Sequence, residues 1–384
     1  MRIKLLGIFI LIIAISDGCK NEFRPSVQSP ATGYLVVEGF INSAGPTSIS
    51  LTRTTKLYDT VRDVNEHNAI VSIEGQNNES FPLYESGNGT YISNALNLNS
   101  NEKYRLKIKT QDGKDYASDY TSYKTTPDID SLSWTRDNTG VKIYINTHDD
   151  QTQPGYYYWK YEETWEFHSR YQSSLVWVYI GNNPIPVGVA YKYPDQSVDT
   201  SIYKCWKTIN SSNINIGSSE KLSKDIIYSQ IISIEPESEK LSVLYSLNVR
   251  QYALSNDAYY YLQKLKKNTE EIGSIFAAQP SELTGNIHCL TNPSEIAIGY
   301  VEVSQEKDKR LYIKNSELPN WNYQALCQTI IVNNNADDIK NSGAGLPTVP
   351  FQVGLGIVSF YVSPDPNCVD CTLIGSNARP AFWP

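Results

Sequence analysis

Large aromatic residues alternate with polar residues between positions 156 and 167. The apolar side of this pattern consists of Tyr157, Trp159, Tyr161, Trp165 and Phe167. The polar side consists of Lys160, Glu162, Thr164 and Glu166, and Glu163 breaks the alternation. A period of two residues is typical of a β-strand. Side chains this large need a second sheet opposite them, so this segment is predicted to be the central strand of a β-sandwich.

Shorter alternating segments fill the chain before this strand. In residues 103–110, Tyr104, Leu106 and Ile108 share one side, and Lys and Arg residues occupy the other. Clusters of Gly, Asn and Ser separate this segment from similar ones before it, as turns separate strands. The spacing predicts an immunoglobulin-like β-sandwich over residues 33–127.

Residues 128–384 are predicted to form a larger β-sandwich domain with a helical insertion. Apolar residues recur at helical spacing near residues 256–277, where Ser255 is a good N-cap. Residues 295–303 and 309–313 are interpreted as the two strands of a hairpin. Residues 333–350 contain several Gly and Pro and are interpreted as a long loop, a kind of segment that often binds ligands. The predicted fold class is therefore mainly β.

The composition supports strands and argues against a nucleic-acid partner. The chain of 384 residues contains 28 Tyr, and aromatic side chains favour pleated, half-buried surfaces. Its formal net charge is -8. Without a basic block, the chain lacks the charges that neutralise a phosphate backbone, so nucleic-acid binding is not expected.

The first 18 residues have the pattern of an export signal. Arg2 and Lys4 precede an apolar run over residues 5–15, which is shorter than the roughly 20 residues of a permanent membrane span. Cys19 follows a small residue, as does the lipid-bearing cysteine of bacterial lipoproteins, where several acyl chains such as palmitate give stable attachment. We therefore expect residues 1–18 to be a lipoprotein signal peptide and Cys19 to be the lipid-attachment site. Because Ser16 and Asp17 depart from the usual pattern, the alternative is an ordinary signal that leaves Cys19 as a thiol.

Residues 19–32 are predicted to be a flexible tether. They contain Pro25, Pro30 and small polar residues without periodicity. The triplet from Lys20 to Glu22 resembles the tag that directs some Bacteroidota lipoproteins to the cell surface. The expected location is the outer membrane, by lipid anchor, with exposure at the cell surface as the further expectation from this tag.

The remaining cysteines are odd in number, so one thiol is expected to be unpaired in an exported protein. They are Cys205, Cys289, Cys327, Cys368 and Cys371. The last two form a CxxC pair, which fits a zinc site, a redox motif or halves of two separate disulfides. Neither further zinc ligands nor a βαβ pattern lies nearby, so disulfides in an oxidising compartment are favoured. Our pairing hypothesis joins Cys205 and Cys327 to the CxxC pair and leaves Cys289 free, although sequence alone does not define the connectivity.

The sequence contains no recognised catalytic or cofactor motif. HExxH, GxSxG, phosphate-loop and dinucleotide-loop patterns are absent, and the His spacing does not suit a shared metal. Glu162, Glu163 and Glu166 are the candidate acid and base. On a strand, however, Glu162 and Glu166 merely share the polar face, and Glu163 is expected to be buried beside an Arg or backbone amides. We therefore expect no catalytic residue, metal or cofactor.

Several segments, taken in order, resemble a Bacteroidota lipoprotein family called domain of unknown function 4249. They are the lipoprotein start, residues 35–39, the aromatic residues running into 163–165, Cys205 with Trp206, residues 285–287 before Gly299 and Tyr300, and the CxxC pair with Gly375, Pro380, Phe382 and Trp383. The resemblance implies an envelope lipoprotein of a kind often encoded beside TonB-dependent transporters, and it supplies no catalytic residues.

These observations lead to one main hypothesis and two alternatives. The main hypothesis is a non-catalytic lipoprotein that acts as an accessory or substrate-capturing partner of a TonB-dependent outer-membrane transporter. Exposed Tyr and Trp residues in loops would contact a glycan or peptide ligand. The first alternative is a glycan-binding or glycan-cleaving surface protein that uses residues such as Trp177 and Trp321. The second is a structural envelope protein without a ligand.

Overall fold

The structure is a computed structural model that describes residues 33–55, 64–150, 155–270, 283, 285–343 and 345–384. The predicted signal peptide and tether, with Cys19, lie outside the described residues, as does the predicted helix beyond Glu270. Strands dominate the described ranges, so the prediction of a mainly β fold is confirmed. Within these ranges, no helix has the length and apolar character to cross a bilayer.

The regular elements comprise many short strands and two α-helices in the described ranges. The strands are β1 (Leu35–Asn42), β2 (Ser48–Arg53), β3 (Val64–Asn65), β4 (Ile70–Gly75), β5 (Ser80–Gly87), β6 (Thr90–Ser93), β7 (Lys103–Lys109), β8 (Asp115–Ser118), β9 (Thr121–Ser122), β10 (Ile129–Asp137), β11 (Gly140–His148), β12 (Tyr156–His168), β13 (Leu175–Val178), β14 (Gly188–Tyr191), β15 (Lys204–Asn210), β16 (Asn215–Ser218), β17 (Ile226–Ile234), β18 (Leu244–Ala253), β19 (Ile287–Cys289), β20 (Ala297–Ile298), β21 (Val303–Ser304), β22 (Lys307–Lys314), β23 (Ile330–Asn333), β24 (Leu346–Val353) and β25 (Ile357–Ser363). The helices are α1 (Asn256–Glu270) and α2 (Ala336–Ser342).

The first sheet is a 12-stranded sheet that curls around one hydrophobic core. It contains β1 to β9 together with β19, β20 and β21. Its two end strands, β19 and β20, are joined by a bridge between His288 and Ile296, so the sheet closes on itself. Alternate residues of β7, including Tyr104, Leu106 and Ile108, point into the core, as their spacing predicted.

A segment that we expected in the second domain forms strands of the first sheet. Strands β20 and β21 lie parallel to β1, with Ala297 opposite Leu35 and Val303 opposite Ile41. The next strand, β22, pairs instead with β18. The predicted hairpin of residues 295–303 and 309–313 is therefore wrong, and the predicted range of 128–384 for the second domain has to release residues 287–304. Val301 and Val303 are fully buried in the first core, which explains why this segment returns there.

The central strand β12 lies in a β-sandwich, as predicted. The aromatic sheet has the order β15-β12-β18-β22, with β16 also pairing with β12. The inner sheet, β10-β11-β17, packs against one face of it. The shared core includes Trp159, Trp165 and Phe167 from β12 with Val141 and Ile143 from β11. We call the opposite side of the aromatic sheet its outer face.

The segment that we interpreted as a loop is part of a smaller structural unit. Residues 333–350 contain α2 and the start of β24, so the prediction of one long irregular loop is wrong. The N-cap of α2 is Asn335, whose side chain accepts a hydrogen bond from the backbone of Asp338. The C-terminal sheet, β23-β25-β24, packs with α2 and the β13-β14 hairpin around Phe360 and Val362.

Two disulfides hold the C-terminal segment against the aromatic sheet. Cys205 of β15 bonds to Cys371, and Cys327 bonds to Cys368. Cys289 is a buried free thiol in β19. The structure therefore contains disulfides, as expected, and the two cysteines of the CxxC pair belong to different bonds. Trp383 is buried near the chain end, where its ring approaches Trp206 edge-on.

A buried carboxylate fixes α1 relative to the first sheet. Both side-chain oxygens of Glu302 accept a hydrogen bond from the backbone of Ser255, at 3.1 and 3.0 Å, just before the helix. The backbone oxygen of Glu302 accepts a bond from Ile41 of β1. Burial raises the pKa of Glu302, and this effect outweighs the opposing bonds from Ser255 and the attraction of Lys124. The N-cap predicted at Ser255 is present, since its hydroxyl accepts from Ala258.

Non-reducing peptide mapping tests the disulfide arrangement. Trypsin leaves Cys368 and Cys371 on one peptide, so the digest needs a protease that cleaves before Asp370. We expect the Cys205 peptide to be joined to that of Cys371, and the Cys327 peptide to that of Cys368. Cys289 is expected to react with iodoacetamide only after unfolding because it is 3% exposed. A direct bond between the two cysteines of the CxxC pair, or rapid labelling of Cys289 in the native protein, would contradict the structure.

The variant Glu302→Gln tests the buried carboxylate at the base of α1. Because the folded-state pKa is raised, the stability that this group contributes is complete below its unfolded pKa of about 4.3 and is lost as pH rises through the folded pKa. The amide keeps an acceptor for Ser255 and carries no charge. We therefore expect the variant to match the parent near pH 4 and to exceed it by about 1 kcal/mol near pH 7.5 in urea unfolding. Lower stability of the variant at pH 7.5 would show instead that the carboxylate charge stabilises the fold.

Candidate functional site

A groove lies where the first sheet meets the outer face of the aromatic sheet. It has a volume of ≈ 530 Å³, within the usual range for small-ligand sites. Strand β1 forms one wall with Glu38, Gly39 and Phe40, and α1 forms another with Leu262 and Leu265. A second cleft of ≈ 390 Å³ shares the same β1 residues and reaches Arg250 and Glu306. Lys160 of β12 lines both cavities, so it stands at their junction.

Backbone geometry at Gly39 shapes the β1 wall. Its φ of +140° is one that L side chains rarely adopt, and a Cβ there would lie 2.5 Å from the backbone oxygen of Ser48. The next residue, Phe40, stacks on Tyr252 with ring centroids 4.7 Å apart and lies 5.5 Å from the ring of Tyr158. These three rings close one end of the outer face and give the groove an aromatic floor.

Two cations face each other across the outer face at this point. In the pairing of β12 with β18, Lys160 lies directly opposite Arg250. Side chains at opposite positions share a face, and like charges there repel. Among the described residues, no Asp or Glu oxygen comes within 4.0 Å of either cationic group. The Lys160 ammonium instead lies 5.9 Å from the centre of the Tyr158 ring.

The surroundings of Lys160 disfavour its charge. Burial lowers the pKa of Lys160, and the neighbouring Arg250 adds to this effect, while Glu38 and Glu306 oppose it from a distance. Glu306 accepts a hydrogen bond from the hydroxyl of Tyr252. Burial, together with Glu306, raises the pKa of that hydroxyl, so Tyr252 acts as a donor. The groove therefore combines two cations that form no ion pair within 4.0 Å among the described residues with Glu38 and Glu306 further away, while Asp308 lies opposite Arg250 in the pairing of β18 with β22.

This arrangement is suited to binding an anionic group. A guanidinium presents a planar fork that fits an oxyanion, and an ammonium adds a point charge beside it. Nucleophilic chemistry would need a general base within hydrogen-bond reach of Lys160. Within the described parts of the chain, no His, Asp or Glu side chain is hydrogen-bonded to Lys160, and no group of three metal-binding side chains occurs.

The glutamates considered as a catalytic acid and base lie on β12 outside the groove. Glu163 is buried between the sheets and accepts bonds from Tyr245 at 2.7 Å and Lys240 at 2.9 Å, so the expected Arg or backbone partner is wrong. Glu166 does not lie on an open polar face, since Trp383 covers it and donates to it at 3.1 Å. Burial opposes ionisation of Glu166, but bonds from Lys204, His168 and Trp383 prevail and lower its pKa.

The two Trp residues considered for sugar stacking are engaged inside the protein. Trp321 is buried, and its ring nitrogen donates to the backbone oxygen of Ser238. Trp177 is half-buried, donates to the backbone oxygen of Gly345 and meets Phe360 edge-on. Sequence reasoning did not find the groove, although Lys160 was assigned to the polar side of β12. The position of Arg250 opposite Lys160 can be identified only from the strand register.

A family model described as Domain of unknown function (DUF4249) matches residues 20–310. This range includes the β1 wall, Lys160, Arg250 and α1, and it stops before the C-terminal sheet. No curated protein matches the chain.

Removing one of the opposed cations should stabilise the fold. In Lys160→Gln, the repulsion from Arg250 and the cost of burying the ammonium both disappear. We expect the free energy of unfolding to rise by about 0.5–1 kcal/mol at low salt, as measured by urea titration. Lys103→Gln, which changes an exposed strand lysine of the first sheet, is the matched control and should change it less. A loss of more than about 1 kcal/mol in Lys160→Gln would mean that the ammonium has a stabilising partner.

Proposed function

The chain belongs to the DUF4249 family. We propose that it is a non-catalytic envelope lipoprotein that captures a small ligand in the groove. In this proposal it serves as an accessory of a TonB-dependent outer-membrane transporter. The observation that carries the binding function is the pair formed by Lys160 and Arg250, which lie opposite each other without an ion pair within 4.0 Å among the described residues.

The groove combines features of a capture site. Its position between the first sheet, the aromatic sheet and α1 means that several elements fix its walls, so little ordering is needed when a ligand enters. Retaining two repelling cations costs stability, and natural proteins accept such a cost mainly where function needs the residues. A ligand that neutralises both cations would recover this energy on binding.

The N-terminal cysteine supports the envelope location. In this proposal, acyl chains on Cys19 hold the protein at the outer membrane, because more than one chain is needed for stable attachment. The described body begins at Gly33, a short distance along the chain from Cys19. Such a connection would keep the groove close to the membrane in which a transporter resides.

An apolar hairpin supports the proposal of a protein partner. The hairpin of β24 and β25 exposes Phe351, Val353, Leu355 and Val358, which are 52, 59, 114 and 45% exposed. Apolar side chains gathered on a surface commonly mark a contact with another protein. In this proposal the hairpin docks on the transporter, while the groove delivers the ligand.

Crosslinking in native membranes, followed by affinity purification and mass spectrometry, tests the partner. We expect the parent chain to recover a TonB-dependent transporter. The double variant Val353→Asp, Leu355→Asp should recover at least about tenfold less, since burying two new charges costs several kcal/mol. Ile180→Asp, an equally apolar exposed position on a different hairpin, is the matched control and should recover as much as the parent.

The anchor is tested in the same preparation. The parent is expected to carry acyl mass on its Cys19 peptide and to fractionate with membranes, and Cys19→Ala should appear in the soluble fraction. Failure to recover any transporter with the parent would refute the partner. An unmodified Cys19 in membrane-bound parent would refute the lipid anchor.

A further inference from the structure

We propose that the groove binds the C-terminal end of a short peptide, with the terminal carboxylate between Lys160 and Arg250 and an apolar last side chain against the aromatic floor. This inference rests on the proposed capture function, because it names the ligand class of the same groove. It is carried by the opposed cations, the nearby carboxylates and the composition of the walls.

The opposed cations define the anionic part of the ligand. Lys160 and Arg250 occupy directly paired positions of β12 and β18, so their side chains leave the same face of the sheet. A carboxylate between them replaces the repulsive contact with charge-assisted hydrogen bonds, two from the guanidinium fork of Arg250 and one from the ammonium of Lys160. Burial strengthens such bonds because less water competes for the charges.

The nearby carboxylates favour a monoanion over a phosphate. Glu38 and Glu306 line the cleft that contains both cations, so the local charge is close to zero before a ligand enters. A phosphate carries up to two negative charges and would be repelled by these two side chains. A peptide carries one carboxylate at its C-terminus and an ammonium at its N-terminus, and the exposed Glu38 is placed to attract that ammonium.

The walls define the apolar part of the ligand. Phe40 and Tyr158 form the floor, and Leu262 and Leu265 of α1 face them across the larger cavity. Side chains of this kind bind aromatic and aliphatic groups by burial of apolar surface. The volume of ≈ 530 Å³ suits a peptide of about two or three residues.

Strand β1 supplies the remaining wall of the groove. The parallel ladder beside β1 is interrupted between the pairs Val36 with Ile298 and Ile41 with Val303. Glu38, Gly39 and Phe40 fall within this interruption and form the groove wall.

Calorimetric titration of the purified full-length protein in detergent tests the inference. The probes are the tripeptide Gly-Gly-Phe with a free carboxyl group, the same tripeptide with a C-terminal amide, and inorganic phosphate. We expect the free acid to bind at least about tenfold more tightly than the amide, since loss of a charge-assisted bond costs at least that factor. Phosphate is expected to compete no better than acetate.

Variants locate the binding to the cation pair. Lys160→Gln and Arg250→Gln should each weaken binding of the free acid at least about tenfold and leave the weak binding of the amide unchanged. Lys160→Arg keeps the charge and should retain binding within about threefold. The matched control Lys103→Gln should bind as the parent does. If a variant fails to fold, the comparison of acid with amide on the parent still decides the question.

Each contrary outcome has a defined meaning. Equal affinity for acid and amide overturns the inference, as does displacement of the peptide by phosphate at lower concentration than by acetate. If no probe binds but the transporter is recovered by crosslinking, the peptide inference fails and the accessory role stands. If the acid binds selectively but no transporter is recovered, the accessory role fails and the ligand class stands.

Discussion

The burial of β12 on both faces is the constraint on which the rest of the structure depends. Trp159, Trp165 and Phe167 fill the core beneath the inner sheet, yet Tyr156, Tyr158 and Glu166 on the other face are buried as well. Other parts of the chain must cover both faces of such a strand, because exposed rings would not contribute the free energy that comes from burying apolar surface. At one end the cover consists of Phe40 and α1, and at the other it is the disulfide-bonded C-terminal segment with Trp383. The groove lies within the first cover, where Phe40 and α1 form walls around Lys160 without closing over it.

This division of the outer face explains the distribution of charge along the strand. Where a cover closes over β12, each carboxylate has partners, as Glu166 has in Lys204, His168 and Trp383. Where no cover closes, Lys160 and Arg250 face each other without such a partner among the described residues. A half-buried cation pair is a poor way to stabilise a sheet. In the proposed function, this pair beside aromatic walls serves to bind the ligand.

The sequence predicted what depends on local periodicity and compartment. The alternation in residues 156–167 identified β12, and Ser255 identified the start of α1. The expected oxidising compartment led to the prediction of disulfides. Local patterns in the sequence could not predict contacts between distant segments. The return of residues 297–304 to β1 depends on which core accepts Val301 and Val303, and periodicity carries no information about the partner. The opposition of Lys160 and Arg250 likewise depends on register, which local sequence does not specify.

The helix α2 was missed because its seven residues lie among Gly and Pro, where only Asn335 marks a start.

The return of β20 and β21 to the first sheet has a consequence for how the protein is made. A chain made from its N-terminus has β1 available long before β20 and β21, and Cys205 lies 166 residues before its disulfide partner. Neither sheet system can therefore be completed while synthesis is in progress, and unfinished sheet edges bind other chains readily. The incomplete chain is consequently open to unwanted association until its last residues are available.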